Sequence, residues 1–249
     1  PKYDVVFIDE AQDLSPIQWK MFDLLKKNSK YIILAGDDDQ AIYGWAGADV
    51  KRFQQEPAKE IILPQSYRVP KLIQHIADNI LSRIPDERRL KKEWKARDED
   101  GSKQFITSIE DVPLQKGKWL VLARYNDKLI KLKPLLREMG IYFEYKKRKS
   151  YPARLYAAIE NYTRWTRGSL LSISECKDLF EYLGKEFPEK EERMYDLKEF
   201  GYSQTQRWFE VFETEPEDTL YIRNMIQAGE ELSKEARVKL STIHAAKGG

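Results

Sequence analysis

The sequence has very little of the chemistry that holds disulfide-rich or metal-rich proteins together. It contains one cysteine, Cys176, and only two histidines, His75 and His244. A single cysteine excludes an internal disulfide framework and fits a reducing cytoplasm, and two histidines argue against a histidine-rich metal site. No apolar run approaches the ~20 residues of a membrane span, and no signal-peptide pattern opens the chain. We therefore expect a cytoplasmic protein.

The composition is that of a folded domain rather than a disordered segment. The 249 residues leave room for one large domain or two ordinary ones. A hydrophobic content of 41% beside 34% charged residues allows a buried core to form. The net charge of +2 neither demands nor excludes a nucleic-acid partner, because a local basic stripe matters more than the total.

An apolar run near the start, Val5–Ile8, ends abruptly at the carboxylates Asp9 and Glu10. The run predicts a strand that is buried on both faces of a parallel sheet. Ligands of open α/β sheets bind beyond the carboxyl ends of the strands. Adjacent carboxylates there suit nucleotide hydrolysis, in which one holds Mg²⁺ and the next orients or deprotonates the attacking water. An acidic helix cap is the alternative interpretation of the same pair.

A second apolar run, Tyr31–Ala35, repeats this design and ends at the polar segment Gly36–Gln40. Between the two runs, Ser15 and Pro16 are typical of a helix start. Apolar residues then recur at helical spacing: Ile17, Met21, Leu24 and Leu25. Two such strands joined by a helix predict a β-α-β unit of a parallel sheet.

The loop after the second run carries two aromatic residues, Tyr43 and Trp45, among small residues. Either residue could plug the core. Aromatic side chains on a loop that leaves a nucleotide site are also suited to stacking on exposed bases.

The next segment predicts a short strand at Ile61–Leu63 and a periodic helix that begins at Pro70. Arg68 lies between them, where it could cap a carbonyl, pair with an acid or bind a phosphate bidentately. Residues 86–101 are highly charged, which indicates either a solvated surface or a basic arm that contacts a nucleic-acid backbone. A short strand at Gln104–Ile109 and a domain boundary between residues 101 and 117 are also predicted.

The second half repeats the strand and helix pattern. In order, we predict a buried strand at Trp119–Ala123, a helix at Asp127–Met139, a strand at Ile141–Tyr145, helices from Tyr151 to Arg237, and a strand at Val238–Ile243. The basic cluster Lys146–Lys149 is either a phosphate contact or a guard of an edge strand.

Five segments resemble motifs of the UvrD/Rep/PcrA helicases of superfamily 1A. Motifs II, III, IV and V are similar to Asp9–Asp13, Gly36–Trp45, Ser66–Arg68 and Thr242–Gly248, in this order. The extra motif that opens that family's second motor domain is similar to Leu122–Asn126. The resemblance implies an α/β fold of two RecA-like parallel-sheet motor domains, 1A and 2A. ATP would bind between them and single-stranded DNA would cross their top.

The resemblance also implies a division of the chain. The expected parts are an incomplete domain 1A (1–100), the first part of domain 2A (101–167), a short helical 2B-like insertion (168–237) and a return to domain 2A (238–249).

Residue roles follow from the resemblance position by position. Asp9 would hold Mg²⁺ through water, Glu10 would be the catalytic base, Gln40 would sense the γ-phosphate, and Arg68 would stabilise the charge of the transition state. The implied ATP and Mg²⁺ contacts are Asp9, Gln12, Asp37, Gln40, Arg68 and Gly248. The implied contacts with single-stranded DNA or with single/double-strand junctions are Tyr43, Trp45, Arg124, Thr242, His244 and Lys247.

Two departures from the family pattern limit these expectations. Ala46 stands where the family usually has arginine, and the sequence contains no G-x-x-x-x-G-K-[ST] loop to cradle phosphates. The chain therefore resembles the middle of an ATP-dependent 3′-to-5′ DNA helicase of repair or replication, cut at both ends and inactive alone. A non-catalytic module that binds single-stranded DNA and a motor-like subunit of a nuclease complex are the alternatives.

Overall fold

The computed structural model describes residues 2–188 and 191–247. The chain divides into two compact units, Pro1–Thr107 and Ser108–Gly249, and each is an α/β unit with parallel strands. No helix in the described ranges combines the length and the apolar character that crossing a bilayer requires.

Unit 1 contains two separate two-stranded parallel sheets, β1 with β2 and β3 with β4. Its strands are β1 (Tyr3–Ile8), β2 (Ser29–Leu34), β3 (Gln65–Pro70) and β4 (Lys95–Arg97). Its α-helices are α1 (Pro16–Lys27), α2 (Val50–Gln55) and α3 (Lys71–Leu81). The predicted β-α-β unit is confirmed as β1-α1-β2.

Helix α1 begins where the sequence predicts, with Ser15 as the N-cap and Pro16 in the first turn. The side chain of Gln18 accepts a hydrogen bond from the backbone N–H of Ser15 at 2.8 Å, which satisfies one of the donors left open at a helix start. The helix buries Trp19 and Phe22, whose rings meet edge to face at 5.1 Å. These two aromatic residues fix the helix on the unit.

The prediction that the first strand is buried on both faces is wrong. Phe7 is 73% exposed and Tyr31, on the neighbouring strand, is 69% exposed. Val6 and Ile8 are half-buried, so one face of the β1–β2 sheet is covered and the other is open. A continuous apolar run predicts a strand, but it does not by itself determine how many faces are covered.

Two other predicted strands are absent from the described residues. Ile61–Leu63 forms no strand, and β3 begins at Gln65, so that Arg68 lies within a strand rather than at its end. Residues 104–108 form no strand either, and a 3₁₀ turn follows at Ile109–Asp111. An apolar run becomes a strand only where a neighbour supplies hydrogen bonds, and β4 supplies them to β3.

Unit 2 is built on one four-stranded sheet with the strand order β5-β8-β6-β7. The strands are β5 (Trp119–Ala123), β6 (Phe143–Tyr145), β7 (Arg148–Lys149) and β8 (Val238–Thr242). The helices are α4 (Asn126–Glu138), α5 (Ala153–Thr166), α6 (Ile173–Tyr182), α7 (Trp208–Val211), α8 (Pro216–Gln227) and α9 (Ile243–Ala246). Strands β5, β8 and β6 are mutually parallel, and β7 pairs antiparallel with β6 at the edge.

The predicted helical segment of residues 168–237 shares its core with this sheet. Leu179 of α6 and Met225 of α8 are fully buried in the same hydrophobic cluster as Val238 and Leu240 of β8. Helices are therefore confirmed in this segment, and they pack as part of unit 2.

Candidate nucleotide and nucleic-acid site

The turn after β1 presents two carboxylates to solvent. Asp9 and Glu10 are both exposed, and the Asp9 Oδ1 atom accepts a hydrogen bond from the N–H of Glu10 at 2.8 Å. Glu10 adopts a left-handed backbone conformation with φ of 52°. A non-glycine residue in this region is strained by roughly 1–3 kcal/mol, and such strain concentrates at functional sites.

Gln12 connects this turn with the loop after β2. Its side chain is fully buried. The Oε1 atom accepts a hydrogen bond from the N–H of Asp37 at 2.9 Å, and Nε2 donates to Glu10 Oε2 at 2.6 Å. Gly36 leaves room for this amide, because a Cβ there would lie 2.6 Å from Gln12 Oε1. One buried amide thus holds the acidic ends of two parallel strands together.

The same network reaches Gln40. Its side-chain Nε2 donates to Asp37 Oδ2 at 2.7 Å, and Gln40 itself is exposed. The structure therefore brings together four residues that the sequence nominates: Glu10, Gln12, Asp37 and Gln40. Asp9 adjoins them in the chain, whereas Arg68 lies exposed in β3 of the other sheet.

The donor atoms at this edge fit a hard cation better than they fit a complete triphosphate. The exposed oxygens of Asp9 and Glu10 are the ligand type that Mg²⁺ prefers. The Gln40 amide is a donor that can bind a phosphate oxygen. The glycine-rich cradle and its lysine have no counterpart in the 249 residues. The exposed carboxylates at this edge are therefore of the type that could hold a divalent cation.

A second acidic cluster lies beside the network, where oxygens of Asp37, Asp38 and Asp39 approach within 4.8 Å of one another. The ammonium of Lys92 binds all three carboxylates, at 2.5 Å from Asp37 and 3.0 Å from Asp39. Arg89 binds Asp39 through two N–H groups at 3.0 and 2.8 Å. Arg89 and Lys92 neutralise aspartates of their own chain. For these two residues, the interpretation as a solvated surface and the interpretation as an arm that contacts a nucleic-acid backbone are therefore both wrong.

Burial and hydrogen bonding act in opposite directions on the pKa values of this cluster. Burial raises the pKa of Asp38, but hydrogen bonds from Lys92, the Leu90 N–H and Gln54 outweigh it and hold the pKa below the usual 3.8. Burial lowers the pKa of Lys92, but its three aspartate partners outweigh that effect and raise the pKa above 10.5. Both groups are therefore charged at neutral pH.

The loop that continues from Gln40 displays its tryptophan. Trp45 is 77% exposed, whereas Tyr43 is half-buried. The two ring centroids lie 6.4 Å apart with planes inclined at 57°. The core-plug interpretation of Trp45 is therefore wrong, and its face is accessible for stacking.

In unit 2, the carboxyl ends of β5 and β8 lie side by side, with Ala123 opposite Thr242. Arg124 is exposed and donates from Nε to the Tyr125 hydroxyl at 3.0 Å. Thr242 is the N-cap of α9, and its Oγ1 accepts a hydrogen bond from the Ala245 N–H at 3.2 Å.

The remaining nominated residues of unit 2 follow β8. His244 and Lys247 are half-buried, and Gly248 lies outside the described residues. Tyr125, which is 58% exposed beside Arg124, is a further candidate that the residue-by-residue prediction omitted. The available signal was an aromatic residue next to an arginine at a strand end.

Comparison with known proteins finds similarity in the first part of this chain. Residues 1–60 match the family described as UvrD/REP helicase N-terminal domain. The ATP-dependent DNA helicase PcrA of Staphylococcus epidermidis is 32% identical over 115 residues, which cover 44% of this chain and 16% of that protein. PcrA of Staphylococcus aureus is 35% identical over 100 residues, which cover 38% of this chain and 14% of that protein.

The aligned segments thus span less than a fifth of these relatives. The residues that match the family model, 1–60, include β1, β2 and the network around Gln12. The N-terminal part of the chain is therefore similar to UvrD/Rep/PcrA-like helicases.

Proposed function

We propose that this chain carries part of the motor of an ATP-dependent DNA helicase or translocase that moves 3′-to-5′ on single-stranded DNA. The observation that supports this most is the hydrogen-bonded network Glu10–Gln12–Asp37–Gln40. It links the acidic ends of two parallel strands directly to the loop that exposes Trp45. A change at Gln40 can therefore be transmitted to a residue that contacts DNA.

The proposed chemistry assigns one task to each side chain. Asp9 would hold Mg²⁺, which would supply charge neutralisation for the phosphates of ATP. Glu10, whose carboxylate is exposed, accepts a proton from the attacking water. Gln12 and Asp37 hold Glu10 and Gln40 in register. Gln40 donates to the γ-phosphate, and Arg68 stabilises the charge that develops on it.

The proposed DNA contacts combine stacking with polar groups. Trp45 and Tyr43 stack on bases, a contribution that tolerates any sequence. In unit 2, the single DNA strand is contacted by Arg124, Thr242, His244 and Lys247. Tyr125 adds a surface on which a base can stack. Single/double-strand junctions are the expected entry sites.

We further propose that the 249-residue chain alone does not hydrolyse ATP, because no lysine-bearing phosphate loop is present. The test is phosphate release by the purified chain with and without oligo(dT), in parallel with Glu10→Gln. No release above background is expected. Release that Glu10→Gln leaves unchanged contradicts the assignment of Glu10. Release that this change abolishes contradicts only the inactivity of the isolated chain.

The positive arm uses the complete gene product, provided that it contains a phosphate loop. There, Glu10→Gln is expected to lower DNA-stimulated hydrolysis by roughly 10²–10⁴-fold, the usual contribution of a general base, with DNA affinity retained. Glu60→Gln, an exposed carboxylate of the same unit, is the matched control and should leave the rate unchanged. Unwinding of 3′-tailed but not 5′-tailed duplexes tests the direction of movement.

A second candidate function is a non-catalytic module that binds single-stranded DNA. The absence of the phosphate-loop motif from the sequence favours it. A complete gene product that also lacks this loop, yet binds oligo(dT), supports this candidate over the motor.

A further inference from the structure

The strongest unassigned feature is the distribution of charge in unit 2. Residues 124–149 contain nine basic and three acidic residues, a net charge of +6, whereas the whole chain carries only +2. A local excess of this size attracts a polyanion even in a nearly neutral protein.

Part of this charge lies on the edge of the sheet that already carries Arg124 and Thr242. Strands β5, β8 and β6 are parallel neighbours, so their carboxyl ends meet at one edge. Lys146 follows β6 directly, one residue beyond the pair Tyr145–Leu240. Neighbouring β-strands lie ~4.8 Å apart. The β6–β7 turn is therefore within reach of a single DNA strand that crosses Thr242.

The backbone of this turn is unusual for lysine. Lys146 and Lys147 form a two-residue turn between β6 and β7, and both have positive φ values, 51° and 61°. Turns of this kind favour Asn-Gly, because a Cβ is unfavourable at both positions. Two lysines therefore occupy positions that conformational preference alone would not give them.

The base of the turn is fixed by Tyr145. Its hydroxyl donates to Asn126 Oδ1 at 3.0 Å, and the ammonium groups of Lys133 and Lys146 lie 5.0 and 5.3 Å from its ring centroid. Cation–π contacts of this kind hold the cations without neutralising them.

Protection of the edge strand β7 against pairing with another chain explains only part of the basic cluster Lys146–Lys149. Lys149 is exposed, but its ammonium is engaged within the chain: it donates to the Leu232 carbonyl at 3.1 Å and to the Tyr151 hydroxyl at 3.0 Å. Lys146, Lys147 and Arg148 are exposed as well. Strand β7 is only two residues long, and Lys146 and Lys147 lie in the turn before it rather than on the strand, so protection of the edge strand does not account for these two cations.

We infer that Lys146, Lys147 and Arg148, here called the basic turn, bind phosphates of single-stranded DNA beside Arg124 and Thr242. This inference rests on the proposed function, and it extends the DNA contacts along the edge of the unit 2 sheet. The basic turn recognises the phosphate backbone rather than the bases, so its contribution is independent of sequence and sensitive to salt.

The test is a salt titration of oligo(dT) binding by the full 249-residue chain, followed by fluorescence anisotropy. The triple variant Lys146→Gln, Lys147→Gln, Arg148→Gln is compared with Lys116→Gln, Lys118→Gln, Lys177→Gln. The control residues are exposed; two of them precede β5, at the opposite edge of the sheet, and the third lies on α6. Both variants lose the same charge.

The basic-turn variant should bind at least tenfold more weakly at low salt. Its plot of log affinity against log salt should be shallower by about 1.4–2.1, since each lost phosphate contact on a single strand contributes about 0.7. The control variant should keep the slope of the unmodified chain.

Each alternative outcome has its own meaning. A basic-turn variant that is folded by circular dichroism and behaves like the control overturns the inference. If the basic-turn variant loses affinity for a duplex of equal length but binds oligo(dT) as tightly as the unmodified chain, the assignment to single-stranded DNA is overturned. Failure of the unmodified chain to bind oligo(dT) contradicts the proposed function itself, and the inference with it.

Discussion

Gln12 is the residue on which the geometry of the acidic site depends. Its buried amide uses both ends, accepting from the Asp37 N–H and donating to Glu10. Sequence reasoning nominated Gln12 only through a family resemblance, because a single glutamine after two acids carries no signal of burial. Its role follows from a tertiary contact between loops 25 positions apart in the chain.

Gly36 provides the most direct test of this arrangement. A Cβ on Gly36 would lie 2.6 Å from Gln12 Oε1 and 2.9 Å from the ring of Phe53. Gly36→Ala is therefore expected to displace Gln12 and to destabilise unit 1 by about 1–3 kcal/mol, the usual cost of overpacking. Urea unfolding, with hydrogen exchange of the β1 and β2 amides as the probe, measures the change.

Gly44→Ala is the matched control, because nothing lies within 4 Å of a Cβ at that position. Its stability should stay within about 0.5 kcal/mol of the unmodified chain. Equal stability of the two variants would show that the buried amide can move without cost.

At the scale of elements, the charged segment 86–97 is the part of unit 1 that sequence reasoning described least well. Its charge pattern is typical of a solvated surface, and only the fold reveals that Arg89 and Lys92 reach back about 50 residues to Asp37–Asp39. The segment holds the loop that bears Gln40 and Trp45. Predicting such a pairing from one sequence is not possible, because charge alone does not identify the partner.

The ion pairs of Arg89 and Lys92 with Asp37–Asp39 make the free energy of unfolding of unit 1 dependent on pH. Asp38 has a pKa below its ordinary value of 3.8, so its stabilising effect is present above about pH 4 and is lost as the pH falls through the lowered folded-state value. Asp38→Asn should lower stability at pH 7 by about 2 kcal/mol, since hydrogen bonds to a charged group are lost. The variant should also lose less stability between pH 5 and pH 3, a range of about two units around the ordinary aspartate pKa of 3.8.

Urea unfolding at constant ionic strength and several pH values measures both effects. Asp4→Asn is the control, because Asp4 forms an exposed ion pair with Lys30 and its side chain is 80% exposed. That change should have little effect at either pH. An Asp38→Asn variant as acid-sensitive as the unmodified chain contradicts a coupled role for this carboxylate.

The elements themselves were predicted unevenly, for physical reasons. Helix α1 and strand β5 follow from local signals, a capped start and a continuous apolar run, and both are confirmed. The strand expected at Ile61–Leu63 is wrong because strand formation needs a partner, and β4 pairs with Gln65–Pro70 instead. The exposure of side chains on a strand was equally hard to predict, because it depends on which elements cover each face of the sheet. Phe7, expected to be buried, is 73% exposed.

At the scale of the whole molecule, the two units differ in how they bury apolar side chains. Unit 2 has a continuous core that joins the helices of 168–237 to β8 and β6. Unit 1 buries Trp19 and Phe22 and leaves one face of its β1–β2 sheet exposed. The sequence predicts helices and parallel strands in both units, but it does not distinguish a shared core from a separate insertion.

We expect the loop next to the acidic network to bind single-stranded DNA by stacking of Trp45 on a base. The most direct measurement is the affinity of the 249-residue chain for fluorescein-labelled oligo(dT), compared between Trp45→Ala and Phe105→Ala. Phe105 is an equally exposed aromatic residue of the same unit, at 87% against 77% for Trp45.

Trp45→Ala should weaken binding by about 1–3 kcal/mol, the range for one base stacked on an aromatic side chain, whereas Phe105→Ala should leave the affinity unchanged. Unchanged affinity of a folded Trp45→Ala variant would contradict the stacking of Trp45 on single-stranded DNA.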